Sequence, residues 1–102
     1  MIATRTSIAI ILFLAGTSAF GADGGTLYTA NGCNTCHGAT GDEPILPTYP
    51  KIAGQNREYL VRQMQDIKDG SRDNGASIAM RALVANLSDD EIAAIADYLS
   101  KL

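Results

Sequence analysis

Cys33-Asn34-Thr35-Cys36-His37 limits what this chain can become more than any other stretch. It reads C-x-x-C-H, the spacing at which two thiols and an imidazole hold c-type haem. Thiols three residues apart add across the two vinyl groups of one porphyrin and form two thioethers. The histidine that follows lies under the iron and offers a ring nitrogen as proximal ligand. A chain tied covalently to a large apolar disc does not have to enclose it fully. Two other uses of paired cysteines fit less well. A thioredoxin-like disulfide needs a βαβ surround, and the sequence has no such pattern. A closed structural zinc site needs four ligands, whereas the two cysteines and the single histidine supply three.

The segment before the motif reads as an export signal. Met1 to Ala22 carries Arg5 as its positive start, the apolar run Ile8 to Ala15, and the small-residue stretch Thr17 to Ala22. Ala19 and Gly21 fit the two small positions before a cut, and Ala19 or Ala22 also offers a cleavage point. The apolar run falls short of the roughly 20 residues of a spanning helix. The expected division is therefore a cleaved signal over residues 1–22 and one domain over residues 23–102, exported to the periplasm without stable membrane insertion. A domain of that size buries only about 60% of its unfolded surface and is marginal alone. Such domains usually need a staple. Both cysteines of the chain lie in the motif, so the staple is one haem c per chain rather than a disulfide.

Charge narrows the partners. The chain has 8 basic and 11 acidic residues, a formal net charge of −3. Loss of Arg5 with the signal makes the remainder more negative by one unit. This argues against nucleic acid and against an anionic membrane surface. A redox protein with a positively charged docking face fits better.

The rest of the chain predicts helices. Asp23 is placed to cap a short one running to about Gly32, with Leu27 and Ala30 at helical spacing. After His37, Gly38 to Pro44 is turn-rich, and Pro44, Pro47 and Pro50 exclude a helix interior or central strand up to Gly54. This loop is nevertheless apolar, in Ile45, Leu46 and Ile52, and an apolar loop needs a surface to lie on. Asn56 caps the next helix, which carries Leu60, Met64 and Ile67 as a buried stripe and stops at Gly70. Arg57, Arg62, Gln65, Asp66 and Lys68 cover its wet side. Ala76 to Leu87 begins loop-like around Met80 and is helical in part. Ser88 and Glu91 form a capping box for the last helix, whose stripe is Ile92, Ile95, Ala96 and Leu99. With no strand pattern, repeat or low-complexity segment, the class is all-α, three to five short helices wrapped around one haem.

Counting donors addresses the second axial position. His37 is the single histidine and both cysteines are consumed, which leaves a methionine. Met1 departs with the signal. Met64 lies on a regular helix stripe, where methionine usually fills a core. Met80 follows a Gly-rich loop that can carry it over the far side of the disc, and it is the favoured ligand, with Lys51 an outside candidate. A His/Met pair closes both axial positions and raises the reduction potential, which favours electron transfer over catalysis.

The chain resembles the class I c-type cytochromes over essentially all of residues 23–102, in particular bacterial cytochrome c-553-type proteins and single domains of dihaem bacterial cytochromes. The residues that carry the resemblance are Gly24-x-x-Leu27-Tyr28, Cys33 to Gly38, Tyr49 to Gln55, Tyr59 to Met64, Met80, and Leu87 to Ile92. The resemblance implies that Met80 is the distal ligand. It also implies that the Pro50 carbonyl accepts a hydrogen bond from the proximal imidazole, orienting the ring and raising its basicity. It implies crossing of the first and last helices, with Gly24, Tyr28 and Tyr98 sharing a packing role. An exposed haem edge would lie near Asn34, Thr35, Ala39, Ile78, Ala79 and Arg81. Two functions follow as expectations. One is a periplasmic monohaem electron carrier that is not itself an enzyme. The other is a haem subunit of a larger dehydrogenase, for example beside a flavoprotein as in the flavocytochrome c sulfide dehydrogenases. An open-site haem enzyme or ligand sensor would require a labile sixth position.

Overall fold

The computed structural model describes Thr4 and residues 23–102. The expected export signal, apart from Thr4, lies outside the described residues. Among those described there are five helices and no strand, so the all-α reading holds at the upper end of the expected count. The helices are α1 (Gly24–Ala30), α2 (Cys33–His37), α3 (Arg57–Asp69), α4 (Ser77–Val84) and α5 (Asp89–Ser100).

Local sequence sets the two long helices. The Asn56 side chain accepts the Tyr59 N–H at 3.0 Å and starts α3. Gly70, in the left-handed conformation, ends it. At α5, Ser88 Oγ accepts the Glu91 N–H at 3.1 Å, and Glu91 Oε1 accepts the Ser88 N–H at 3.0 Å. The reciprocal pair satisfies two donors that a helix start leaves free. Leu60, Met64 and Ile67 from α3 and Ile92, Ile95, Ala96 and Leu99 from α5 are all buried. They meet Leu27, Tyr28, Val84 and Leu87 in one core.

The short helices depart from expectation. α1 ends at Ala30, two residues early, because Asn31 and Gly32 turn the chain into α2. Asp23 holds the cap position of α1 without capping it, since its carboxylate accepts the Thr26 hydroxyl at 3.3 Å rather than a backbone N–H. Met80 does not open a loop but lies in the first turn of α4. From Ala76 to Val84 there is no glycine or proline, and Ala, Met, Arg and Leu favour helix. The buried Ser77 and Val84 pack this helix onto the core side.

α1 crosses α5 at very short range. A Cβ at Gly24 would lie 2.1 Å from the Ala94 carbonyl oxygen and 2.7 Å from Tyr98 Cβ. One turn on, the fully buried Tyr28 ring sits 6.0 Å from that of Tyr98, tilted by 50°. The expected sharing of this crossing by Gly24, Tyr28 and Tyr98 is thus present. Gly24→Ala forces the two helices apart and should destabilise the fold by about 1–3 kcal/mol in denaturant unfolding. Ser88→Ala, which removes the cap of α5, should cost about 1 kcal/mol in the same measurement.

Candidate haem site

The motif forms a single turn, α2, that carries both thiols and the imidazole. Cys33 and Cys36 are free thiols, each partly buried. Cys33 packs against the core, and that burial pushes its thiol pKa up. A thioredoxin-like dithiol needs a βαβ surround, and no strand occurs among the described residues.

His37 is 8% exposed, and its Nδ1–H donates to the Pro50 carbonyl at 3.0 Å. A carbonyl can only accept, so the bond places the proton on Nδ1 and leaves the Nε2 lone pair for a metal. The Tyr49 ring lies 6.4 Å from the imidazole.

The proline-rich loop brings that carbonyl into place through main-chain bonds. The Ile45 N–H donates to Cys36 O at 3.0 Å, and the Ile52 and Ala53 N–H groups donate to Gly41 O at 2.8 and 3.1 Å. The Gly54 N–H donates to Leu99 O at 2.8 Å, fastening the loop to α5. Gly38, with φ of 89°, lets the chain double back. A Cβ there would meet the Glu43 carbonyl oxygen at 2.6 Å. The Tyr28 hydroxyl donates to the Gly38 carbonyl at 2.5 Å, linking α1 to the motif. The sequence reading missed this Tyr28–Gly38 link and the double anchor at Gly41. The available signal was the glycine on either side of the five-residue motif.

The methionines separate by environment. Met64 is 6% exposed inside the core, whereas Met80 is half-buried and packs against the outside of the core. Lys51 is exposed. Of the expected haem-edge residues, Thr35, Ala39, Ile78 and Ala79 are exposed and Asn34 is half-buried. Arg81 differs. It is half-buried, and its Nε donates to the Ile67 carbonyl of α3 at 3.1 Å, so its head group is not offered to an open patch.

This donor set fits a haem. Two thiols and an imidazole with a free Nε2 share one turn. Beside them Ile45 is 62% and Leu46 45% exposed, an apolar rim suited to a flat macrocycle.

Comparison with known proteins agrees with this chemistry. The cytochrome c family profile matches residues 21–102. Cytochrome c-553 of Nitratidesulfovibrio vulgaris is 35% identical over 96 residues, covering 94% of this chain and 92% of that protein. Cytochrome c4 of Pseudomonas aeruginosa is 48% identical over 68 residues, covering 67% of this chain and 32% of the relative. A thiosulfate dehydrogenase electron acceptor of Stutzerimonas stutzeri is 32% identical over 100 residues, covering 91% of this chain and 45% of the relative. The chain spans about a third of the length of the cytochromes c4 that it matches. It belongs to the cytochrome c family, as a class I c-type cytochrome of the bacterial type.

The site also carries a pH signature. Burial, with lesser contributions from Cys33 and Tyr98, pushes the Tyr28 hydroxyl up to about 12 from an ordinary 10. Between those values the unfolded chain gives up the proton and the folded chain keeps it. Tyr28 therefore stabilises the fold fully below pH 10 and loses that contribution as pH rises toward 12. Denaturant unfolding of wild type should weaken across this window more steeply than that of Tyr28→Phe.

Proposed function

We propose that residues 23–102 form a periplasmic monohaem cytochrome that passes single electrons between redox proteins. The observation that carries the reading is the His37 Nδ1–H bond to Pro50 O, which readies Nε2 as a metal ligand. Cys33 and Cys36 would hold the haem through two thioethers, each an addition of a thiol across a vinyl group that releases nothing. His37 Nε2 and Met80 Sδ would hold the iron. The bound haem supplies an iron centre that gains and loses one electron. The Pro50 carbonyl holds the imidazole plane and raises its basicity. Met64 is committed to the core, which supports Met80 as the distal donor. His37 is the one histidine of the chain, so no second imidazole serves as a distal acid or base. One motif implies one haem per chain.

Residues 1–22 act as the export signal and are removed. Among the described residues no helix is long and apolar enough to cross a membrane. The acidic balance of the chain suits a partner with a positively charged docking face. A dehydrogenase is the electron donor that the name of the S. stutzeri relative supports. If the chain is instead a fixed subunit of such an enzyme, it should co-purify with that enzyme at constant ratio. A free carrier should elute as a small, single species.

The first test is spectroscopic, on protein matured in a haem-attaching periplasm. Oxidised wild type and Met64→Leu should show the far-red methionine-to-iron band, and Met80→Ala should lack it and have a lower reduction potential. Cys33→Ala combined with Cys36→Ala should leave no haem on the chain in a denaturing gel. A high-spin wild type, or loss of the band in Met64→Leu alone, would overturn the ligand assignment.

A further inference from the structure

Arg81 follows the proposed axial ligand directly, and its side chain is spent on another helix. We propose that Arg81 is a positioning residue: its bond to the end of α3 sets the rotation of α4 and thereby aims the Met80 thioether. The inference rests on Met80 as the distal ligand.

The buried Ser77 seats the start of α4 on the core, and among the described residues no side-chain hydrogen bond to α3 joins it there. No side chain caps its first turn. Ile78 is 62% exposed, Ala79 is exposed, and Met80 is itself only half-buried. The preceding residues 73–76 are all exposed. Among the described residues, α4 makes one side-chain hydrogen bond to α3, from Arg81 Nε to Ile67 O at 3.1 Å.

That acceptor is well suited to a cation. Ile67 lies in the last turn of α3, where carbonyls have no partner within the helix and the helix dipole is negative. Gly70 leaves room for the head group, since a Cβ there would lie 3.2 Å from Arg81 Nη2. Beyond the C-terminal end of α4 a second crossing runs in the opposite sense, from Lys68 Nζ on α3 to the Leu87 carbonyl. Lys68, read from the sequence as wet-face cover, is therefore a tie between segments.

Adjacent side chains on a helix point about 100° apart. Fixing the direction of Arg81 against α3 therefore fixes the direction of Met80 around the same axis. The Lys68 tie, at Leu87 six residues beyond Arg81, holds the segment after α4 and does not fix the rotation of the helix.

The test uses four holoproteins: wild type, Arg81→Gln, Arg81→Leu and Lys68→Gln. Glutamine carries an amide N–H donor at the chain position of arginine Nε, without the charge, whereas leucine carries no donor. Cyanide displaces methionine from ferric iron and reports how firmly the ligand is aimed. In Arg81→Leu the far-red band should weaken and cyanide affinity should rise about tenfold, the scale of one lost hydrogen bond. Arg81→Gln should stay within about twofold of wild type. Lys68→Gln should lower unfolding stability yet leave cyanide affinity within the same factor. Cyanide affinity unchanged in Arg81→Leu, no rescue in Arg81→Gln, or an equal rise in Lys68→Gln would each overturn the positioning role. A wild type without the band would overturn the Met80 reading itself, and this inference with it.

Discussion

The approach of the Gly24 backbone to the Ala94 carbonyl is the constraint on which the remaining geometry depends. A hydrogen in place of a side chain lets α1 lie on α5 at main-chain distance. Tyr28, one turn further on, then falls between α5 and the motif, with its ring buried beside Tyr98 and its hydroxyl on the Gly38 carbonyl. The same crossing that completes the core thus fixes the exit of α2. A wider crossing would withdraw the hydroxyl from Gly38 and free the turn that follows His37.

From there the site is assembled almost wholly by backbone. Cys36, Gly41, Pro50 and Leu99 each offer a carbonyl, and the loop residues supply the matching N–H groups or, at Pro50, receive the imidazole. Three prolines restrict the loop before it folds, so less conformational entropy is lost when it closes over His37. The chemistry that defines a c-type cytochrome needs few side chains here because the chain path presents the rest.

What could be read before the structure was what is local. Asn56 and Gly70 bound α3, and Ser88 with Glu91 opens α5, because caps act within four residues of themselves. The stripes of both helices repeat often enough to mark a buried face, and this also placed Met64 in the core. A five-residue helix such as α2 has no repeat to read. The Gly-rich segment ahead of Met80 obscured where α4 begins, although propensity alone favours its start at Ser77. Asp23 met the composition rule for a cap, but a nearer hydroxyl took its carboxylate. The motif itself was plain in the sequence. The turn of Arg81 toward Ile67 was not, since it depends on a helix pair separated by a loop. Pro50 came into view through family resemblance only, because a carbonyl leaves no mark on residue type.

That last point bears on how the site can vary. The acceptor that orients His37 is a peptide oxygen, present whatever residue occupies position 50. A single codon change cannot delete it. Substitution can act there only by bending the chain away, so inheritance protects the bond through loop shape rather than through the identity of a side chain. A neighbouring exposed position such as Thr48 is correspondingly free to drift and to remodel the surface around a fixed imidazole.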